Sequence, residues 1–317
     1  MPKLPFVSPQ KLTELRAWAI RIAPFVLIVL AAFVLWRAVH GLSPGQILAA
    51  IGRWSVARIA TALGLVACGY GLLAANEQFA LRWAGAKVRL RDGMLASFIT
   101  YAFANNLGMG VLMGGALRAG VYTRHDVGLT QVAQLTFYGL VTFSMGATAL
   151  CGFSFLTAPG AAFTALNLSV EAGRAMGVVL AGAPCVYILA CLIFRGSVSV
   201  FGRTLRLPSP LLALLQLAFG VCDVAVNAAI VWTLLGAAAP RYATFLGGYL
   251  VSVVAGLISG VPGGVGVFES VMLTLLPGVD RASMTAALLG YRLFFYLAPL
   301  SVAALTLFWR RSHPAKV

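Results

Sequence analysis

Acidic side chains are scarce in this chain: eight Asp and Glu in 317 residues, against 23 Lys and Arg. Charge of either sign makes up only 10% of the sequence, where an ordinary soluble chain carries about 25%. So little charge cannot clothe a water-facing surface, which excludes a soluble globular protein. Histidine is nearly absent, and His40, His125 and His313 stand far apart with no metal-ligand spacing. The five cysteines (Cys68, Cys151, Cys185, Cys191 and Cys222) form no Cys-x-x-Cys pair. All lie in apolar runs, where they read as small buried hydrophobes. No nucleophile elbow, phosphate-binding loop or dinucleotide fingerprint occurs, and no cofactor or metal is implied. There is no long basic run either, so the net charge of +15 does not point to nucleic acid.

What is present is apolar sequence, 61% of the residues, with a mean hydropathy of +0.94. At ~20 residues per crossing the chain has room for about eight membrane segments and none for a separate soluble domain. The apolar runs are Ile22–Val39, Arg58–Asn76, Met94–Ala116, Leu129–Gly152, Met176–Phe194, Leu211–Leu235, Ala243–Val261, Val265–Leu276 and Ser283–Trp309. The first follows a basic segment without an obvious cleavage site and reads as a retained signal anchor. A loop with Glu171 and Arg174 is expected before Met176. Val265–Leu276 is too short to span alone. The expected fold is an all-α polytopic membrane protein. Residues 1–21 form a basic cytoplasmic N-terminus, 22–309 one transmembrane domain and 310–317 a cytoplasmic tail.

Basic residues sort the topology. If Met94–Ala116 dips in and returns to the cytoplasm, and Ala243–Leu276 is a hairpin from the outside, 16 Lys and Arg face the cytoplasm and 6 face outward. If every run crosses, the bias is weaker, so the positive-inside rule favours two re-entrant hairpins. Both arrangements put the termini in the cytoplasm. The hairpins enter from opposite faces, about half the chain apart. They would be matching parts of an inverted repeat with halves 22–160 and 170–309, the pattern that points to a transporter's binding site. The alternative is that the glycines serve close helix packing, as the Gly256, Gly260, Gly264 row and the Gly110, Gly114 pair allow.

Ionisable residues within spans are expensive and ask for a reason. Asp223 lies near the middle of its run and shares a helix face with Gln216, Gly220 and Asn227. It reads as a carboxylate that binds a cationic group or carries a proton, or else as an acid satisfied by Arg292 or Asn227. Glu269 follows V-P-G-G-V-G-V-F (261–268) and falls in the first turns of a half-helix. That helix start either faces an anionic ligand or is occupied by Glu269, itself free to pair with Arg292. Arg118, after N-N-L-G-M-G-V-L-M-G-G-A-L (105–117), suits a phosphate oxygen pair or an interfacial snorkel. Arg292 is too deep to snorkel and needs an acid. Glu77 reads most simply as a partner of Arg82. Gln131, Gln134 and Tyr138 form a second polar stripe suited to interhelical hydrogen bonding.

At these motifs the chain resembles the transmembrane flippase domain of the lysylphosphatidylglycerol synthases, the multiple peptide resistance factor family. Three blocks carry the resemblance: F-I-T-Y-A-F-A-N-N-L-G-M-G-V-L-M-G-G-A-L-R-A-G-V-Y at 98–122, Leu214–Leu235 with Asp223, and V-P-G-G-V-G-V-F-E at 261–269 with G-Y-R-L-F-F-Y-L-A-P-L at 290–300. Glu77 and Arg82 match as well, and the likeness runs from about residue 20 to 310. Ala104, Ala119, Gly120 and Gly260 depart from the family pattern.

The resemblance implies an inner-membrane lipid flippase that moves an aminoacylated or similar phospholipid between leaflets, lowering negative surface charge and blunting cationic peptides. It implies head-group contacts from Asp223, Glu269, Arg118 and Arg292, with Asn227 beside Asp223. Asn105, Asn106, Gly263 and Gly264 would shape the cavity. The family's lysyl-transferring domain has no counterpart here, so no synthase activity is expected. The alternative is a non-transporting membrane subunit that scaffolds a separate lipid synthase. A homo-oligomer is compatible with either.

Overall fold

The computed structural model describes residues 44–107, 110–122, 126–158, 163, 166–194, 196–200 and 203–312. The expected signal anchor Ile22–Val39, the N-terminal segment before it and the three histidines lie outside these residues. In chain order the helices are α1 (Pro44–Gly52), α2 (Val56–Trp83), α3 (Leu90–Leu107), α4 (Gly110–Tyr122), α5 (Leu129–Thr157), α6 (Val170–Ile193), α7 (Pro210–Leu235), α8 (Tyr242–Ile258), α9 (Val267–Leu275), α10 (Arg281–Tyr291) and α11 (Ala298–Ser312). Between α10 and α11 the chain stays helical but winds as a π-helix over Arg292–Leu297. Five helical stretches are long and apolar enough to cross a membrane: Val56–Trp83, Leu129–Thr157, Val170–Ile193, Pro210–Ala238 and Arg281–Trp309. The chain is a polytopic α-helical membrane protein.

Local chemistry places the helix starts. Ser55, Ser169 and Ser209 each accept a hydrogen bond from the backbone N–H three residues on, opening α2, α6 and α7. Pro210 takes the first position of α7, where its missing N–H has no cost. Asp280 opens α10, accepting from the Ser283 N–H and hydroxyl, both at 2.9 Å. These bonds hold its carboxyl below the ordinary range. The Ser169 cap corrects one expectation: Glu171 and Arg174 lie in the opening turns of α6, not in a loop. Between α6 and α7 runs a short two-stranded antiparallel ribbon, β1 (Ser197–Val200) with β2 (Arg203–Arg206), within the all-α fold. A second correction concerns the cysteines. Only Cys191 is buried, while Cys68, Cys185 and Cys222 are exposed on helix surfaces.

Two segments form helical hairpins, α3 with α4 and α8 with α9. At 1.5 Å per residue α9 is about 14 Å long, under half the ~30 Å hydrocarbon core, so it does not cross alone. The break between α8 and α9 is sharp because Gly263, Gly264 and Gly266 hold φ of 61°, 64° and 77°. Only glycine adopts that region without penalty. The leading helix of each hairpin packs on the long helix that follows the other: α3 lies on α11, and α8 on α5. The exchange is reciprocal. The largest apolar core joins these helices to α2, α7 and α10, with Tyr70, Phe103, Val224, Phe245, Tyr249, Phe268, Met272, Tyr291 and Phe295 among its members.

The α5–α7 crossing is as close as backbones allow. A Cβ on Gly220 would collide with the Thr142 carbonyl, and one on Gly146 with the Gly220 backbone. Gly220→Ala is therefore expected to cost about 1–3 kcal/mol and lower the melting temperature in detergent. Gly182→Ala, whose Cβ meets nothing within 4 Å, should hold or raise it. Matched scanning fluorimetry on the two variants checks this, and equal melting would show that the crossing is loose.

Candidate functional site

The second hairpin's break meets the end of α3. A Cβ on Gly263 would lie 3.6 Å from the Asn105 carbonyl oxygen. Arg292 Nη1 donates to the Gly263 carbonyl at 2.7 Å. The π-wound stretch joins the same junction. π-turns disturb the regular carbonyl ladder, and two carbonyls of this stretch are met by side chains from other helices. Tyr70 donates its hydroxyl proton to the Phe295 carbonyl at 3.1 Å. Asn106 Nδ2 donates to the Tyr296 carbonyl at 3.2 Å and to Ala102 at 2.8 Å. The Asn105 side chain approaches the Tyr70 hydroxyl.

Two buried ion pairs flank this junction. Arg118 on α4 grips Glu77 on α2 with Nε and Nη2, each bond 2.8 Å long. Tyr122 donates to the same carboxylate at 3.3 Å, and Arg118 Nη2 also reaches the Tyr101 hydroxyl at 3.0 Å. Arg292 Nε donates to Glu269 Oε1 at 2.8 Å, and Nη2 lies 2.7 Å from the same oxygen without making a hydrogen bond. The other Glu269 oxygen accepts the Gly266 N–H at 2.7 Å, so the acid closes the start of its own helix. The Arg292 guanidinium lies over the Tyr296 ring, 4.6 Å from its centroid. All four charged residues are buried. The expectation that Glu77 pairs with Arg82 is thus corrected. Arg82 is exposed and lies over the Phe79 ring. Arg118 does not snorkel.

Asp223 is different. It is half-buried on α7, and among the described residues no cation lies within ion-pair distance of it. Its neighbour is Asn227, whose Nδ2 donates to Oδ1 at 3.1 Å. That leaves Asn227 Oδ1 buried without a donor. Gly69 on α2 faces this amide, and a Cβ there would lie in ordinary contact, 3.5 Å from Asn227 Oδ1. Tyr70, Tyr101 and Tyr249 stand close enough to Asp223 to feel its charge. The result is a set of acceptors without a matching cation.

The polar stripe on α7 therefore divides. Gln216 and Gly220 serve packing: Gln216 Nε2 donates to the Tyr138 carbonyl at 3.4 Å and its Oε1 accepts from Tyr187 at 3.0 Å. Asp223 and Asn227 keep free capacity. Gln131 of the second stripe is likewise structural, bonded to the Gly128 N–H and the Ala84 carbonyl. Gly264 packs against Gly256, and Gly263 receives Arg292, so both shape the break. The tyrosines at 70, 101, 122 and 249 escape sequence reading as site residues. The signal was available, since a tyrosine within an apolar run needs a partner for its hydroxyl.

These geometries separate two kinds of acid. Removing one member of a buried pair leaves an uncompensated charge and costs about 3–5 kcal/mol. Glu269→Gln and Glu77→Gln should each lower the melting temperature sharply, and Glu269→Gln combined with Arg292→Gln should recover much of the loss. Asp223→Asn should leave stability unchanged or higher. A double-mutant cycle followed by thermal unfolding in detergent checks all three, and a large loss at Asp223→Asn would reveal a cation partner.

The chain is similar to known membrane proteins over most of its length. Inner membrane protein YbhN of Escherichia coli (strain K12) is 31% identical over 260 residues, covering 79% of this chain and 81% of the relative. Uncharacterized protein slr0712 of Synechocystis sp. is 30% identical over 254 residues, covering 79% of this chain and 78% of that protein. The family described as the lysylphosphatidylglycerol synthase TM region matches residues 19–303. With its glycine-broken hairpins and paired intramembrane charges, the chain belongs to the family of the lysylphosphatidylglycerol synthase transmembrane region.

Proposed function

We propose that this protein is a flippase that moves a phospholipid with an amine-bearing head group between the leaflets of a bacterial inner membrane. One observation carries the reading: two buried arginines are paired with two buried glutamates, and among the described residues Asp223 keeps a carboxylate with no cation. Ionisable groups at membrane depth mark transport routes by default. A carboxylate beside an acceptor without a donor suits an ammonium group, which offers three N–H bonds. The reciprocal packing of the hairpins on each other's following helices supports an inverted repeat, with the hairpins as re-entrant gates from opposite faces. Because both oxygens of Glu269 and Glu77 are occupied, neither acid is the amine site in this conformation. Arg118 meets the lipid phosphate only if its pair opens, whereas Arg292 keeps one buried donor, Nη2, without a hydrogen bond.

The test is lipid movement. Purified protein is reconstituted into liposomes holding lysylphosphatidylglycerol, and amines arriving from the inner leaflet are labelled with a membrane-impermeant reagent. The expected result is rapid exposure with the wild type. Asp223→Asn should be slower by about tenfold or more, the worth of one charge-assisted bond. Equal rates in the two proteins would remove Asp223 from the site. No acceleration over protein-free liposomes would sink the lysyl-lipid reading and bring forward a scaffold role for a separate synthase.

A further inference from the structure

We propose that Asp223 exchanges a proton for the lipid's ammonium group, so that lipid moving one way is coupled to a proton moving the other. The inference rests on the amine site described above and adds its energy source. Its ground is the neutrality of everything around Asp223. On α2 the nearby titratable group is Tyr70, on α3 Tyr101 and on α8 Tyr249. Glu77 of α2 is closed by Arg118 of α4. α5 carries no Asp, Glu, Lys or Arg along its length. On α6 the charges are Glu171 and Arg174, in the opening turns, while Tyr187 is bonded to Gln216. α10 carries Arg281 at its first position and Tyr291, whose hydroxyl meets that of Tyr249, and beyond it Arg292 pairs with Glu269 and donates to the Gly263 carbonyl.

No fixed positive charge therefore balances Asp223 among the described residues, and Asn227 offers one neutral hydrogen bond. A half-buried carboxylate at membrane depth with no fixed cation is neutralised by binding a proton. An ammonium group neutralises it equally well, and the two cannot occupy the carboxylate together. Loading the lipid releases one proton from an Asp223 oxygen. Releasing the lipid on the other side takes one proton up. The empty, ionised carboxylate is the costly state for a hairpin rearrangement, which ties the two movements together. Charge balances for a lipid of net charge +1, since one positive charge leaves as one proton enters. A gradient of pH then drives the cycle, and the lipid moves toward the acidic side.

Infrared difference spectroscopy on the purified full chain tests the exchange directly, with dodecylamine and then lysylphosphatidylglycerol as probes. The carbonyl band of a protonated carboxyl should disappear when either amine binds. Asp223→Asn should lack that band. Asn227→Val, which keeps the carboxyl and loses its hydrogen-bond donor, should retain the band at a shifted position. Amine binding with no carboxyl band would overturn the exchange and leave the amine site standing. Failure of both probes to bind would overturn both.

In lysylphosphatidylglycerol vesicles, a gradient of one pH unit should drive the lipid to about a tenfold excess in the leaflet facing the acidic side, one pH unit being equivalent to a factor of ten. Protein-free and Asp223→Asn vesicles should stay near even over the same time. Fast movement to an even distribution despite the gradient would overturn the exchange alone. Absence of movement would overturn the flippase reading, and the infrared result would still decide whether proton and amine compete at Asp223.

Discussion

Arg292 is the interaction on which the centre of this molecule depends. One guanidinium pairs with Glu269 on α9, donates to the Gly263 carbonyl in the hairpin break and lies over the Tyr296 ring of its own helix. It thereby pins the backbone of the break through the Gly263 carbonyl, at a depth where unsatisfied carbonyls are costly. Glu77 and Arg118 do the corresponding work for the first hairpin, binding α4 to α2. Each hairpin is thus tied by one ion pair to a long neighbouring helix. Neither pair adds net charge, which keeps the cost of burying four ions within bounds.

Against that background Asp223 stands out for what it lacks. The fold contains the means to neutralise an intramembrane acid with arginine and, among the described residues, uses it twice. Among those residues Asp223 is given an amide and no cation, and the amide is itself short of a donor. A structural acid would gain from a fixed cation, whereas a group that takes and releases a cationic ligand cannot have one. The surrounding tyrosines fit the same logic. Their hydroxyls are engaged with the Phe295 carbonyl, with Arg118 and with Tyr291, so they line the site without adding charge.

Much of this arrangement could be read in the sequence because its determinants are local. The serine caps, the glycine and proline breaks and the depth of Asp223, Glu269 and Arg292 all follow from residue type and spacing. Partners were harder. Glu77 and Arg82 are close in sequence, but five residues turn a helix by about 500°, leaving the two side chains about 140° apart. The acid instead finds Arg118, 41 residues away, through a tertiary contact that no spacing announces. The start of α6 was misplaced because Glu171 and Arg174 look like loop residues, whereas the Ser169 cap carries the information. The exposure of Cys68, Cys185 and Cys222 is not legible in the sequence because burial rules drawn from water do not distinguish core from bilayer.

The π-wound stretch Arg292–Leu297 has a consequence for the helix that follows it. One additional residue in a helical turn rotates everything beyond by about 100° relative to an uninterrupted α-helix. The face of α11 that lies on α3 is therefore out of phase with the face of α10 that carries the core. A periodicity extended across the whole stretch would assign the wrong side to lipid. Such a stretch reads as an inserted residue absorbed without breaking the helix, and related chains that lack the insertion would have to recruit different residues of α11 to meet α3.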